Sequence, residues 1–368
     1  MIGIFDSGFG GLTVLRALTD AMPERRFLYL GDHAAAPYGN RHREEIYRLT
    51  QVSAQRLFAR GCRLVVLACN TASASSLRRL QQEWLPIQYP DHRILGVLVP
   101  MVEAITGVPW MADLYQTALT DSDQRPSCAG RDASASLGYA PTPRALCARS
   151  NNAGVAGLRA LNAPSQPVMS MAHHRLALPP QAPNDKVRTV AVFATQQTVL
   201  SNAYPIEIGK RAPNVTVVQQ ACPQLVSLIE AGAPHAALRP LVLRYVDALM
   251  DRMDGQKPEV AMLGCTHYPL IADLFAEALP RGTEILSQPN LVARSLAAYL
   301  ARHPDLDDAS HAPPATQFLT TGNAERTSAL GSQFFGQPVV FQSVEETPAQ
   351  CHVTIGKSNS LAGPTDKA

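Results

Sequence analysis

One local device occurs twice in this chain and constrains its fold more than any other feature. Residues 63–76 read RLVVLACNTASASS and residues 260–270 read VAMLGCTHYPL. Each is an apolar run of strand length that ends in a cysteine, Cys69 or Cys265. A threonine-containing polar turn and a segment able to open a helix follow. A continuous apolar run is what a parallel strand needs when helices cover both faces of its sheet. The point where such a strand gives way to its helix is the carboxyl edge of the sheet, where open α/β folds bind ligands. Two thiols, one from each half of the chain, are therefore expected to face one cleft.

The segments around this pair repeat the alternation of strand and helix. Residues 2–5 read as a buried strand, followed by the turn Asp6-Ser7-Gly8-Phe9-Gly10-Gly11. Leu12, Leu15, Leu18 and Met22 then recur at helical spacing up to Pro23. The glycines do not form a dinucleotide fingerprint, because Thr13 stands where the third would be, and no Walker lysine follows. They suit either an ordinary tight turn or one whose backbone approaches a small ligand, with helix-start amides available to a carboxylate. A second strand, 26–30, delivers Gly31-Asp32-His33 and the turn-rich Pro37-Tyr38-Gly39-Asn40. A helix over about 44–60 leads to the strand before Cys69, and Asn70 or Thr71 is expected to cap the helix after it. In the second half, strands at 189–195, 215–218 and before Cys265 alternate with helices at 197–210, 223–230 and 235–253, and the alternation runs on to Val344. The fold class expected is α/β: two pseudo-symmetric, doubly wound parallel-sheet domains with the active site between them.

Residues 109–186 break the pattern. They are rich in Ala, Ser and Pro, with one helix-like piece at 111–119, and read as an insertion or mobile linker. The expected organisation is a first domain over 1–108, this insertion, a second domain over 187–345 whose C-terminal elements are free to pack back on the first, and a loose tail over 346–368. His173-His174 lies in the insertion; adjacent side chains point apart on most backbones and no ligand cluster accompanies them, so no metal is expected.

Lys plus Arg total 32 against 30 for Asp plus Glu, a net charge of +2 that leaves no electrostatic footprint for nucleic acid. The seven cysteines include no CxxC pair, which argues against a disulfide framework or zinc finger and fits a reducing cytoplasm. No signal peptide and no membrane-spanning apolar run are visible. The partner expected is a small molecule.

A lone cysteine at a strand end is usually a small buried hydrophobe. Cys69 and Cys265 differ in sharing one place in a repeated unit, at helix starts whose amides can lower a thiol pKa. Two thiols across one ligand permit a reaction that one cannot: a thiolate takes the α-proton of an amino acid while the opposite thiol returns a proton to the other face. Each needs a polar neighbour, and Asp6 and His267 are at hand. Glu230, expected on the last turn of a helix where it opposes the dipole, is a further candidate.

At this point DSGFGGLTVL (6–15), PYGNR (37–41), ACNTAS (68–73) and GCTHYPL (264–270) resemble the signature segments of bacterial glutamate racemases, in the family's order. ACPQLVSLIEAG and FLTTGNAERTSAL are similar to its later segments. The resemblance implies a cofactor-independent racemase of two α/β domains, a homodimer that supplies D-glutamate for peptidoglycan. It implies Cys69 and Cys265 as proton donor and acceptor, assisted by Asp6, Glu230 and His267. Substrate contacts would fall on Asp6, Ser7, Tyr38, Gly39, Asn70, Thr71, Thr266 and His267. Three features depart from the family pattern: His33-Ala34-Ala35 replaces a Thr-Ala-Arg-like stretch, Ala194-Thr195 stands for Gly-Thr, and the insertion is foreign to it. The alternatives are an aspartate or hydantoin-type racemase of the same superfamily, or a racemase-like regulatory binding protein. A pyridoxal phosphate enzyme is disfavoured, since Lys186, Lys210, Lys257, Lys357 and Lys367 are the only lysines and none sits beside a pocket motif.

Overall fold

The first strand, β1 (Ile2–Asp6), is buried along its whole length, and its side chains alternate between two cores. Ile2 and Ile4 join one cluster and Phe5 the other, because successive residues of a strand point to opposite faces. Helices on both sides of the sheet are the consequence. α1 (Gly11–Ala21) covers one side, burying Leu12, Val14, Leu15 and Leu18; each such side chain is worth about 1.5–3 kcal/mol over exposure. β2 (Phe27–Gly31) follows, then α2 (Arg43–Phe58) on the other side, β3 (Leu64–Leu67) and α3 (Asn70–Arg79). After a π-helical turn at Leu80–Trp84 come α4 (Leu85–Gln88), β4 (Arg93–Gly96) and α5 (Leu98–Thr106), which ends on Gly107 in the left-handed region at φ 68°.

The second half opens with β5 (Thr189–Ala194). A single helix is expected over 197–210, yet the chain forms two, α6 (Gln196–Leu200) and α7 (Ala203–Arg211), joined through Asn202 at φ 52°. Pro205 explains the break: inside a continuous helix its ring would meet the carbonyl of Ser201, whereas in the first turn of a new helix its missing N–H costs nothing. β6 (Thr216–Ala221), α8 (Leu225–Glu230), α9 (His235–Arg252), β7 (Val260–Gly264), α10 (Ala272–Ala278), β8 (Glu284–Leu286), α11 (Gln288–Arg302), β9 (Thr316–Thr320), α12 (Ala324–Phe335) and β10 (Phe341–Ser343) complete it.

The strands form two all-parallel sheets, in the orders β10-β9-β2-β1-β3-β4 and β6-β5-β7-β8. The segment β2-β1-β3-β4 corresponds strand for strand to β6-β5-β7-β8, which is the pseudo-symmetry expected. β9 and β10 come from the end of the chain and extend the first sheet.

The computed structural model describes residues 1–109, 189–306 and 313–344. The expected helix at 111–119, Cys128, Cys147, the His173-His174 pair and the tail over 346–368 lie outside the described residues. Among the described residues no helix is long and apolar enough to cross a membrane, and no group of three or more His, Cys, Asp or Glu side chains is arranged to hold a metal.

Candidate active site

The correspondence of the sheets determines where the thiols go. β1 pairs with β3, and β5 with β7, in the interior of each sheet. Cys69 follows β3 and Cys265 follows β7, so both stand at carboxyl edges. They line one cavity together with Ser7, Tyr38, Gly39, Asn70, Thr71, Thr266 and His267 from the sequence-based set. Its interior volume is about 30 Å³. Asp6 and Glu230 do not line it; both stand behind the residues that do.

Cys69 is itself the N-cap of α3, in place of the expected Asn70 or Thr71: its sulfur accepts from the Ala72 amide at 3.4 Å. Ser7 Oγ lies 3.3 Å from the same sulfur. Helix-start amides are expected to lower such a thiol, but burial outweighs them. Burial first, and the Asp6 carboxylate second, push the Cys69 thiol up to about 12. The thiol is thus the form present at neutral pH. Asp6 accepts from the Gly8 amide at 3.0 Å through Oδ2, while its Oδ1 is buried without a partner. Burial raises the Asp6 pKa despite the opposing charge of His267.

On the other side, Cys265 Sγ is 3.7 Å from His267 Nδ1, and His267 Nε2 is 2.9 Å from Glu230 Oε1. Burial disfavours a charged imidazole, but the sulfur and the carboxylate outweigh it and raise His267 to about 10. The same pair lowers Glu230, again against burial. Glu230 is the last residue of α8, where the helix dipole repels it; His267 supplies the compensating charge.

Three residues outside the sequence-based set take part, one lining the cavity and two holding a residue that does. Thr195 lines the cavity, caps α6 and exchanges a 2.9 Å hydrogen bond with Thr71. It follows β5 as Ser7 follows β1, so the internal repeat itself carried the signal. Tyr204 and Gln288 hold Asn70: the tyrosine hydroxyl donates to Asn70 Oδ1 at 2.7 Å, Asn70 Nδ2 donates to Gln288 Oε1 at 2.9 Å, and Gln288 Nε2 donates back to Asn70 Oδ1. No local pattern marks this pair, because the contact between Asn70 and Gln288 spans 218 positions. Tyr38, which lines the cavity, donates to Asp32 at 2.6 Å.

Of the departures from the family pattern, His33 lies outside the cavity. Its ring packs 4.3 Å from that of Phe9 and its Nδ1 is 2.9 Å from Thr320 Oγ1. Burial lowers its pKa to about 4, so it is neutral.

No protein-family model matches the chain. It is similar to the glutamate racemase of Phenylobacterium zucineum, at 38% identity over 93% of this chain and 99% of that protein. The glutamate racemase of Paracoccus denitrificans is 39% identical, over 93% of this chain and 99% of that protein. The fold is also that of the Francisella tularensis glutamate racemase crystallised with D-glutamate, with a TM-score of 0.64 at 22% identity, covering 94% of this chain and 97% of that one.

Proposed function

This chain belongs to the glutamate racemase family, and on that premise we propose that it interconverts L- and D-glutamate through two bases, Cys69 and Cys265, acting on opposite faces of the α-carbon. The observation that carries this reading is that both sulfurs border one cavity. With Cys265 ionised, its sulfur takes the α-proton while the Cys69 thiol gives its own proton to the other face; the return reaction starts with the protons exchanged. The opposite environments of the sulfurs support this division: Cys69 is held as a thiol, and Cys265 faces a charged imidazole that can donate Nδ1–H to it.

His267 acts as hydrogen-bond donor to Cys265, and Glu230 holds its charge and orientation. Asp6, whose charge bears on Cys69, assists that thiol when it must lose its proton. Hydroxyls and amides of Ser7, Tyr38, Gly39, Asn70, Thr71 and Thr266 hold the ammonium and the two carboxylates. Positioned proton transfer of this kind contributes typically about 10²–10⁴-fold to rate. The chemistry needs no cofactor, and among the described residues no lysine borders the cavity to form a Schiff base.

Membership of this family sets aside the aspartate and hydantoin-type alternatives and the regulatory-protein reading. We further propose a homodimer working in a reducing cytoplasm, where the free cysteines Cys62, Cys69, Cys222 and Cys265 stay reduced, with its D-glutamate used for peptidoglycan. The test is to incubate the purified protein with L-glutamate in heavy water and follow optical rotation and loss of the α-proton signal, with L-aspartate as control. Loss of rotation with deuterium incorporation is expected for glutamate alone; a protein that leaves L-glutamate unchanged overturns the reading.

A further inference from the structure

We infer that Tyr204 and Gln288 are positioning residues of the racemisation, which hold the Cys69 and Cys265 sulfurs at the separation that proton transfer across one α-carbon requires. The inference rests on the two-thiol reading above.

Tyr204 reaches both strand ends. Its hydroxyl donates to Asn70, the residue after Cys69, at 2.7 Å. Its ring lies against Gly264, the residue before Cys265: a Cβ added to Gly264 would stand 3.1 Å from Tyr204 Cε2. The missing Cβ is what lets the ring come so close. One side chain with only two torsions thus spans from the neighbour of one sulfur to the neighbour of the other.

Gln288 closes this arrangement into a ring of three. Its amide exchanges two hydrogen bonds with the amide of Asn70, and its Nε2 lies 3.3 Å from the Tyr204 hydroxyl. Each of the three side chains is therefore held by the other two, and they come from three helices, α3, α7 and α11. All three are buried. A satisfied polar network at low dielectric is rigid, so it resists any shift of one strand end against the other. Burial pushes the Tyr204 phenol up, and it stays a donor. Neither Tyr204 nor Gln288 borders the cavity, so both act through Asn70 rather than on the α-carbon.

The spacing matters because one sulfur must remove a proton while the other delivers one to the opposite face. When the separation slips, removal continues but delivery fails. The carbanion then takes a proton back from the sulfur that removed it. In heavy water that thiol has exchanged S–H for S–D, so the return leaves the original enantiomer with deuterium at the α-carbon. The ratio of exchange without inversion to inversion reports the sulfur spacing, and it is independent of how much of the enzyme is folded.

The test incubates the full-length wild type, Tyr204→Phe and Gln288→Met with L-glutamate in heavy water. Early deuterium content is measured in the remaining L-glutamate and in the D-glutamate formed, by mass spectrometry after chiral separation. Wild type is expected to place deuterium almost wholly in D-glutamate. Each variant is expected to raise the ratio at least about threefold, since a shift of about 1 Å in a reacting group can cost about 10²-fold. Tyr204→Phe keeps the ring and Gln288→Met keeps the side-chain length. A rise in either variant supports the inference. An unchanged ratio in both overturns it whatever happens to kcat, because a purely structural role lowers kcat and leaves the ratio alone. Wild type inert toward glutamate overturns the racemase reading, and this inference with it.

Discussion

Glu230 Oε1 lies 2.9 Å from His267 Nε2, and the other ring nitrogen of that histidine faces Cys265 at 3.7 Å. A carboxylate at the end of one helix thereby governs a sulfur at the end of a distant strand. Glu230→Gln keeps a hydrogen-bonding side chain of the same size but removes the charge. We expect kcat to fall about 10²-fold with little change in KM, and the alkaline limb of the rate profile to move to lower pH as the imidazole loses its support. Rates measured across pH with each enantiomer check this, and a variant with the wild-type profile would show that Glu230 does not act through His267.

The same pair predicts how stability varies with pH. The His267 pKa is raised from 6.5 to about 10 in the folded protein, so the native state holds this proton more tightly than the unfolded chain. Its contribution is complete below about pH 6.5 and is lost as pH rises through about 10, by linkage on the order of a few kcal/mol. Urea denaturation between pH 6 and 10 should show this decline in wild type and a much flatter dependence in His267→Gln.

Cys69→Ala and Cys265→Ala should each lower racemisation of glutamate by at least about 10³-fold, since neither thiol can serve both faces. Cys62→Ala should retain activity, because Cys62 lies in the core beneath α2 rather than at the cavity. Full turnover in either of the first two variants would exclude the two-base assignment.

Gly10 is where the first glycine turn meets the second half of the chain. A Cβ added there would stand 2.2 Å from Thr266 Oγ1 and 2.5 Å from His267 Nδ1, closer than any real contact. Gly10→Ala should therefore displace Thr266 and His267 and cost activity at least about tenfold, since misplacing a reacting group by about 1 Å can cost 10²-fold. Steady-state kinetics beside circular dichroism would separate this from unfolding, and an unaffected kcat would contradict it.

Gln288 is wholly buried and bonded to Asn70. Gln288→Leu would leave the Asn70 amide unsatisfied, a cost of about 1–3 kcal/mol, read as a drop of several degrees in melting temperature.

The strands and both cysteines were legible because fully apolar runs bounded by polar turns mark a parallel sheet, and the repeat set Cys69 against Cys265. Ser7, Tyr38, Asn70 and Thr71 were legible through motif resemblance. Thr195 could have been read from the repeat, by its place after β5. Gln288 and Tyr204 could not, since what makes them matter is a buried amide more than a hundred positions away. The protonation of Cys69 was not legible for a different reason. The helix-start amide is local and visible in sequence, whereas the burial that overrides it is a property of the whole fold.

The placement of β9 beside β2 sets the order in which the molecule can be made. β2 pairs with β9 from Phe27↔Thr316 to Gly31↔Thr320, and the hydrogen bond from Thr321 to Asp32 spans 289 positions. While the ribosome is still working through the second half, the outer edge of β2 has no partner, and Tyr38 lacks a fully anchored Asp32. A nascent chain halted before Thr316 thus carries an open sheet edge able to pair with other chains. Premature termination late in the gene would yield aggregates rather than a weakened enzyme.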